Sequence, residues 1–358
     1  MNKYKRNKTL TLLLFVQIGL VYLFSRFPGF VESSYSTSIY TYISQFFRYL
    51  FGWIPFSFGD IIYAVLIIFI IRFLFQFIKS KYQAKKYLIF QFLAGISVFY
   101  FCFYFFWGIN YSRQPLTTTL QLTTENYDID KLKSLTDRLV YKIIDIKSQL
   151  TSHDSIAVVI PYSKSEILDK TELGYQNLKK DFQQFQYKPS SIKKSLFSLP
   201  LTYMGFSGYF NPLTGEAQVD YLVPKISLPM ISSHEVAHQL GYASENEANF
   251  IGFMAANYHD DLYFKYSAYL MAIKYALSDI YRSDPDLYQV YLDVLPKGII
   301  KNMLESRKFW EKYENPAEPF FKAFYDGYLK ANQQKDGLKS YSKMVDLLIS
   351  YDLKYTLY

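Results

Sequence analysis

The chain has 358 residues, half of them hydrophobic and a fifth aromatic, which excludes a disordered polymer. Its single cysteine, Cys102, excludes intramolecular disulfides and any cysteine-based zinc cage. The net charge of +8 invites a nucleic-acid reading. The basic residues instead flank apolar runs, and no helix-turn-helix or aromatic RNA-binding motif is present.

Residues 9–24 form an uncharged apolar run preceded by Lys3, Lys5, Arg6 and Lys8. Ser25-Arg26-Phe27-Pro28 follows, in place of the small residues that a cleavage site needs, so the run reads as an uncleaved helix. Residues 61–78 are apolar except for Arg72, and residues 87–107 carry no charge. Each run is close to the length that crosses a bilayer of about 30 Å as a helix. Residues 1–109 therefore read as a three-span anchor. Lys79, Lys81, Lys85 and Lys86 lie between the second and third spans. The positive-inside rule puts them, with the basic N-terminal tail, in the cytoplasm. An in–out–in–out path then sends residues 110–358 outside the cytoplasm, from an inner membrane whose lipid bilayer is the first partner. Arg72 lies near the cytoplasmic end of its span and is placed to snorkel. Cys102 reads as a small apolar filler.

Beyond the third span the composition turns polar. Residues 110–126, with Pro115 and a threonine run, read as an exit linker. Leu132, Leu135, Leu139 and Ile143 mark a helix over 128–150, residues 155–161 suggest a short strand, and 163–186 a helix. Around Asn211-Pro212-Leu213-Thr214-Gly215 the pattern predicts a hairpin within 202–223. From Pro229 onward helices account for nearly everything. The expected class is a three-helix membrane anchor followed by a mainly helical α+β domain.

Residues 234–238 read His-Glu-Val-Ala-His. At i and i+4 on a helix, His234 and His238 can point two imidazoles at one ion, with Glu235 placed to reach water beside it. Zn2+ held this way lowers the pKa of water toward about 7, and Glu235 is the expected general base for attack on a carbonyl. Gly241 is placed to end the helix in a left-handed cap, and Ser244 to start the next. That turn can bring in a third ligand. Glu247 fits a capping box with Ser244, so Glu245 is favoured as the metal ligand over Glu247. Asn249, one turn after Glu245, can orient its carboxylate or sit in solvent.

The remaining histidines carry weaker signals. His153 lies in a polar loop. His259 can stabilise an oxyanion, or act only as a helix-end cation. Tyr266 and Tyr269 are further oxyanion candidates, though 36 tyrosines prevent a choice. Residues 215–223 can offer a strand edge to an extended substrate, or merely support the histidine helix.

The chain resembles a family of bacterial membrane proteins defined by a domain of unknown function, with N-terminal spans and a zincin-like motif. The resemblance rests on Trp107–Arg113, Gly208–Pro212, Gly215–Ala217, His234–Phe250 and Tyr325–Lys330. Glu245, Ala248 and Asn249 are similar to the Glu-x-x-Ala-Asp signature of gluzincin-type membrane peptidases, with Asn249 in place of Asp. That similarity implies a metal-ligand role for Glu245 and a peptidase-like site, acting on a peptide or protein of the cell envelope. The alternative is a non-catalytic envelope scaffold or sensor with a structural or vestigial metal. Neither substrate nor oligomeric state is legible.

Overall fold

A computed structural model describes residues 3–123, 128–332 and 343–355, together with 334, 337 and 357. Three of its helices are long and apolar enough to cross a membrane: Lys3–Phe24, Phe58–Lys79 and residues 84–106 of the helix Tyr82–Phe106. Their apolar side chains are largely uncovered by protein, which places them in a lipid bilayer. The first and third spans pack side by side, joined by Thr11 Oγ1 to the Phe90 carbonyl and Gln17 Nε2 to Ser97 Oγ, each at 3.4 Å.

A segment with no counterpart in the sequence reading lies between the first two spans. It comprises the short helix Pro28–Val31, a π-helical stretch Glu32–Ile39 and the helix Tyr40–Phe51. Tyr40, Ser44 and Arg48 form its buried face.

The rest is a helical domain around a small mixed sheet. The helix Ile129–Leu150 forms as its apolar stripe predicts, with Asp128 capping it through the Lys131 amide. Residues 163–178 also begin as expected, with a Ser163–Glu166 capping box, but the helix ends at Leu178. Residues 155–161 form no strand, although Val158 and Ile160 are buried; Asn302 supplies the hydrogen bonds to the Val158 backbone that a neighbouring strand would make. The predicted hairpin is β2 (Gly208–Asn211) and β3 (Glu216–Val219), antiparallel. A further strand, β1 (Ile192–Lys194), pairs parallel to β3, so the order is β1-β3-β2. β3 is thus the buried central strand, and residues 215–223 offer no free edge.

The expected exit linker is not a spacer. Asn110, Ser112 and Leu116 are buried, in short helical turns Gly108–Ser112 and Leu116–Thr119 packed on the domain. Its last residues, 124–126, lie outside the described residues.

Sheet and anchor are bonded directly. Glu216 of β3 accepts hydrogen bonds from the Phe58 and Gly59 amides at 3.1 and 2.6 Å. Its carboxylate therefore caps the positive end of the second span, where Ser57 also caps Asp60. Asp60 in turn accepts from Tyr209 of β2, from Ser195 and from the Leu196 amide. Replacing Glu216 by Ala strands two amides at a helix start, one buried and one half-buried. We expect the unfolding free energy in detergent to fall by about 1–3 kcal/mol. An unchanged denaturation midpoint would contradict this capping role.

Candidate metal centre

The helix Leu228–Gln239 carries the His-Glu-Val-Ala-His run and is buried on nearly all sides. Tyr175 donates to the Ser233 carbonyl at 2.5 Å, and Thr171 meets Ser232 at 2.7 Å, fixing one flank. Gln239 ties the other flank to the sheet, donating to the carbonyls of Ser191 and Gly215 and accepting from Tyr187.

The C-terminal end of this helix is completed by the anchor. Tyr40 and Ser44 donate to the Gln239 carbonyl at 2.9 and 2.7 Å. Trp107, at the end of the third span, donates to the His238 carbonyl at 3.0 Å. Carbonyls in the last turn of a helix lack full partners within it, and here side chains supply them. Gly241 then adopts φ +86°, the left-handed cap that its position predicts, and Arg113 holds its carbonyl at 3.0 Å while pairing with Glu32.

The chain now turns back into the helix Glu245–Asn257, which packs on the motif helix. Gly252 makes that approach possible. A Cβ there would lie 2.8 Å from the His234 nitrogen. This close crossing carries Glu245 to the two histidines.

Glu245 Oε2 lies 3.3 Å from His234 Nε2 and 3.6 Å from His238 Nε2. The three side chains form a group with metal-ligand character, their donor atoms within 4.8 Å of one another. Glu245 Oε2 is buried and has no hydrogen-bond donor, whereas Oε1 accepts from Tyr325 at 2.6 Å. His238 Nδ1 donates to the Tyr242 carbonyl at 2.7 Å, and His234 Nδ1 to Asn249 Oδ1 at 2.8 Å. Both rings therefore turn Nε2 toward Glu245.

The charges respond to this enclosure. Burial opposes the ionised Glu245, but the two histidines prevail and hold its carboxyl well below the usual range. Burial likewise opposes the His238 imidazolium; Glu245, Glu235 and the Tyr242 carbonyl outweigh it and raise His238 to about 9. Glu235 is buried, with Oε2 unpartnered, and desolvation pushes it up to about 7 against the pull of both imidazoles. β2 passes beside it: a Cβ on Gly208 would lie 2.6 Å from Glu235 Oε1.

Several sequence expectations land elsewhere. Ser244 makes no cap hydrogen bond to its helix, and its hydroxyl meets Asn246 Oδ1 instead. Glu247 is consequently not a capping-box residue. It accepts from the Leu116 amide at 2.6 Å, under the turn that was expected to be a linker. Asn249 orients His234, not the Glu245 carboxylate. His259 is buried, stacked on Phe264 and bonded to the Lys170 carbonyl and the Asp261 amide. Its Nδ1 accepts from the Asp261 amide while Nε2 faces the Lys170 carbonyl, the pattern of a neutral structural imidazole, and desolvation lowers its pKa in the same sense. Tyr266 bonds Asn302, and Tyr269 packs against Phe253 in the core. His153 lies in its loop, bonded to Ser155.

Tyrosines beside the cluster include Tyr325, on Glu245, the Tyr111–Tyr328 pair, whose hydroxyls are 3.2 Å apart, and Tyr275, which bonds Asn249; Tyr111, Tyr328 and Tyr275 sense the Glu245 charge. Both Tyr111 and Tyr325–Tyr328 fall within the runs that carry the family resemblance, the only sequence signal that sets them apart from the other tyrosines.

Gly252→Ala forces the two helices apart at the His234 backbone. We expect a stability loss of about 1–3 kcal/mol, read by denaturation in detergent. Full stability would show that the crossing tolerates a wider gap.

No curated protein and no solved structure matches the chain. A family described as "Protein of unknown function (DUF3810)" matches residues 35–349, which take in the anchor from the π-helical stretch onward, the sheet and all three members of the cluster. The chain therefore belongs to the DUF3810 family.

Proposed function

We propose that this protein is a membrane-anchored zinc metallopeptidase in which His234, His238 and Glu245 hold the ion and Glu235 is the general base. The observation that carries the reading is the buried Glu245 Oε2, which makes no hydrogen bond and faces two imidazole Nε2 atoms at 3.3 and 3.6 Å. A tetrahedral ion with bonds of about 2.0–2.1 Å spaces its ligand atoms about 3.3 Å apart. Two nitrogens and one oxygen suit zinc, and three protein ligands leave one position open, as catalytic sites require.

Zinc bound here supplies a Lewis acid and acidifies water toward a pKa of about 7. The rest falls to the chain. Asn249 and the Tyr242 carbonyl hold both Nδ1 atoms and so keep the Nε2 atoms turned toward Glu245, where the ion would be held. Tyr325 occupies the second oxygen of Glu245 and so leaves Oε2 as its single donor. Glu235 takes the proton from the attacking water as its oxygen bonds to the carbonyl carbon, and returns it to the nitrogen as the C–N bond breaks. An extended peptide can add to the outer edge of β2, which among the described residues pairs only with β3 and runs past Glu235.

The basic N-terminal tail and the lysines of residues 79–86 favour a cytoplasmic face for that end of the anchor, and hence an extracytoplasmic domain acting on envelope polypeptides. The experiment joins metal analysis to turnover. The purified protein is expected to carry about one zinc per chain, lost in His234→Ala and His238→Ala. Glu235→Gln is expected to keep the zinc while casein hydrolysis falls about 100-fold or more. A wild-type protein without zinc would remove the site, unchanged turnover in Glu235→Gln would remove the base, and zinc binding without hydrolysis by the wild type would favour a scaffold or sensor.

A further inference from the structure

The helix Tyr40–Phe51 is amphipathic in an unusual sense. Its inward stripe, Tyr40, Ser44 and Arg48, is the face turned to the protein. Its outward stripe is aromatic: Tyr42, Phe46, Tyr49 and, just beyond the helix, Trp53 are 75, 61, 68 and 78 % exposed. Between residues 40 and 56 the only charge is Arg48, and it is buried. A water-facing helix would carry its polar residues outward. Tyrosine and tryptophan on an uncharged outer face are the composition of a membrane–water boundary.

Its height relative to the bilayer is fixed independently. The first span ends at Phe24 and the second begins at Phe58, so the helix lies between two segments that cross the bilayer surface. Its C-terminal turn is tied to β1 by Lys193 Nζ, which donates to the Gly52 carbonyl at 2.7 Å. Through Tyr40 and Ser44 it holds Gln239, one residue past His238. Trp107, which ends the third span, touches His238 itself.

We propose that Tyr40–Phe51 is an interfacial helix lying in the headgroup layer, and that it seats the metal cluster at the bilayer surface, where the substrate class in reach is the juxtamembrane segment of another membrane-anchored polypeptide. The substrate half rests on the hydrolytic reading above; the position of the helix does not.

Both halves are tested on the full chain in phosphatidylethanolamine–phosphatidylglycerol vesicles. In a Cys102→Ala background, nitroxide labels go on Tyr42→Cys, Phe46→Cys and, as a domain-surface control, Tyr141→Cys. Labels at 42 and 46 are expected to collide with oxygen several-fold more, relative to a water-soluble nickel chelate, than the label at 141. Nickel access equal to the control would overturn the proposal, and shielding from both reagents would overturn it in favour of a second copy of the chain.

The second arm uses two palmitoylated quenched-fluorescent peptides. In one the cleavable segment adjoins the acyl chain; in the other a Gly-Ser spacer of about 30 residues intervenes, reaching about 30 Å on average. Surface concentration is the same for both, and the short-spacer peptide is expected to be cut several-fold faster. Equal rates would overturn the substrate class and leave the hydrolytic reading in place. Cleavage of neither would withdraw both, without touching the position of the helix.

Discussion

The helix that bears His234 and His238 cannot finish itself. The Gln239 carbonyl and one side of the His238 carbonyl need donors, and these come from Tyr40, Ser44 and Trp107, all within the membrane-anchoring third of the chain. The site is therefore not a soluble unit that happens to be tethered. Its histidine helix is held at one end by the elements that leave the bilayer, and the turn at Gly241 that brings Glu245 back is clamped by Arg113, the residue directly after the 3₁₀ turn Gly108–Ser112. Sheet and second span are joined in the same manner, by a carboxylate on a helix start.

This arrangement explains which parts were legible in the residues. The spans announce themselves because lipid demands long apolar runs nearly free of charge, and that composition separates them from domain helices of equal length such as Ile129–Leu150. The His-x-x-x-His spacing and the Gly241 cap are local properties of one helix and its end, so periodicity and the left-handed preference of glycine suffice to place them. The placing of Glu245 in the first turn after that cap is local too, but the capping-box ground for setting Glu247 aside fails, because Ser244 makes no cap hydrogen bond.

What escaped depends on distant partners. Glu247 looks like a capping residue because its spacing from Ser244 is right, yet the Leu116 amide, far away in sequence, claims it. Asn249 sits one turn from Glu245, but the helix crossing at Gly252 turns it to His234 instead. The helix Tyr40–Phe51 is invisible to a rule that sends apolar stripes inward, since its aromatic stripe faces out. Tyr325 could not be chosen among 36 tyrosines, because only the return of a C-terminal helix across the site brings it to Glu245.

In the proposed zinc site Glu245, and not Glu247 two residues on, which is also buried, completes the ligand set with His234 and His238. Zinc content of the purified Glu245→Ala and Glu247→Ala proteins, measured side by side with the wild type, tests it most directly. Zinc is expected to be lost from the first and kept in the folded second variant. Full zinc in Glu245→Ala, or loss confined to Glu247→Ala, would contradict it.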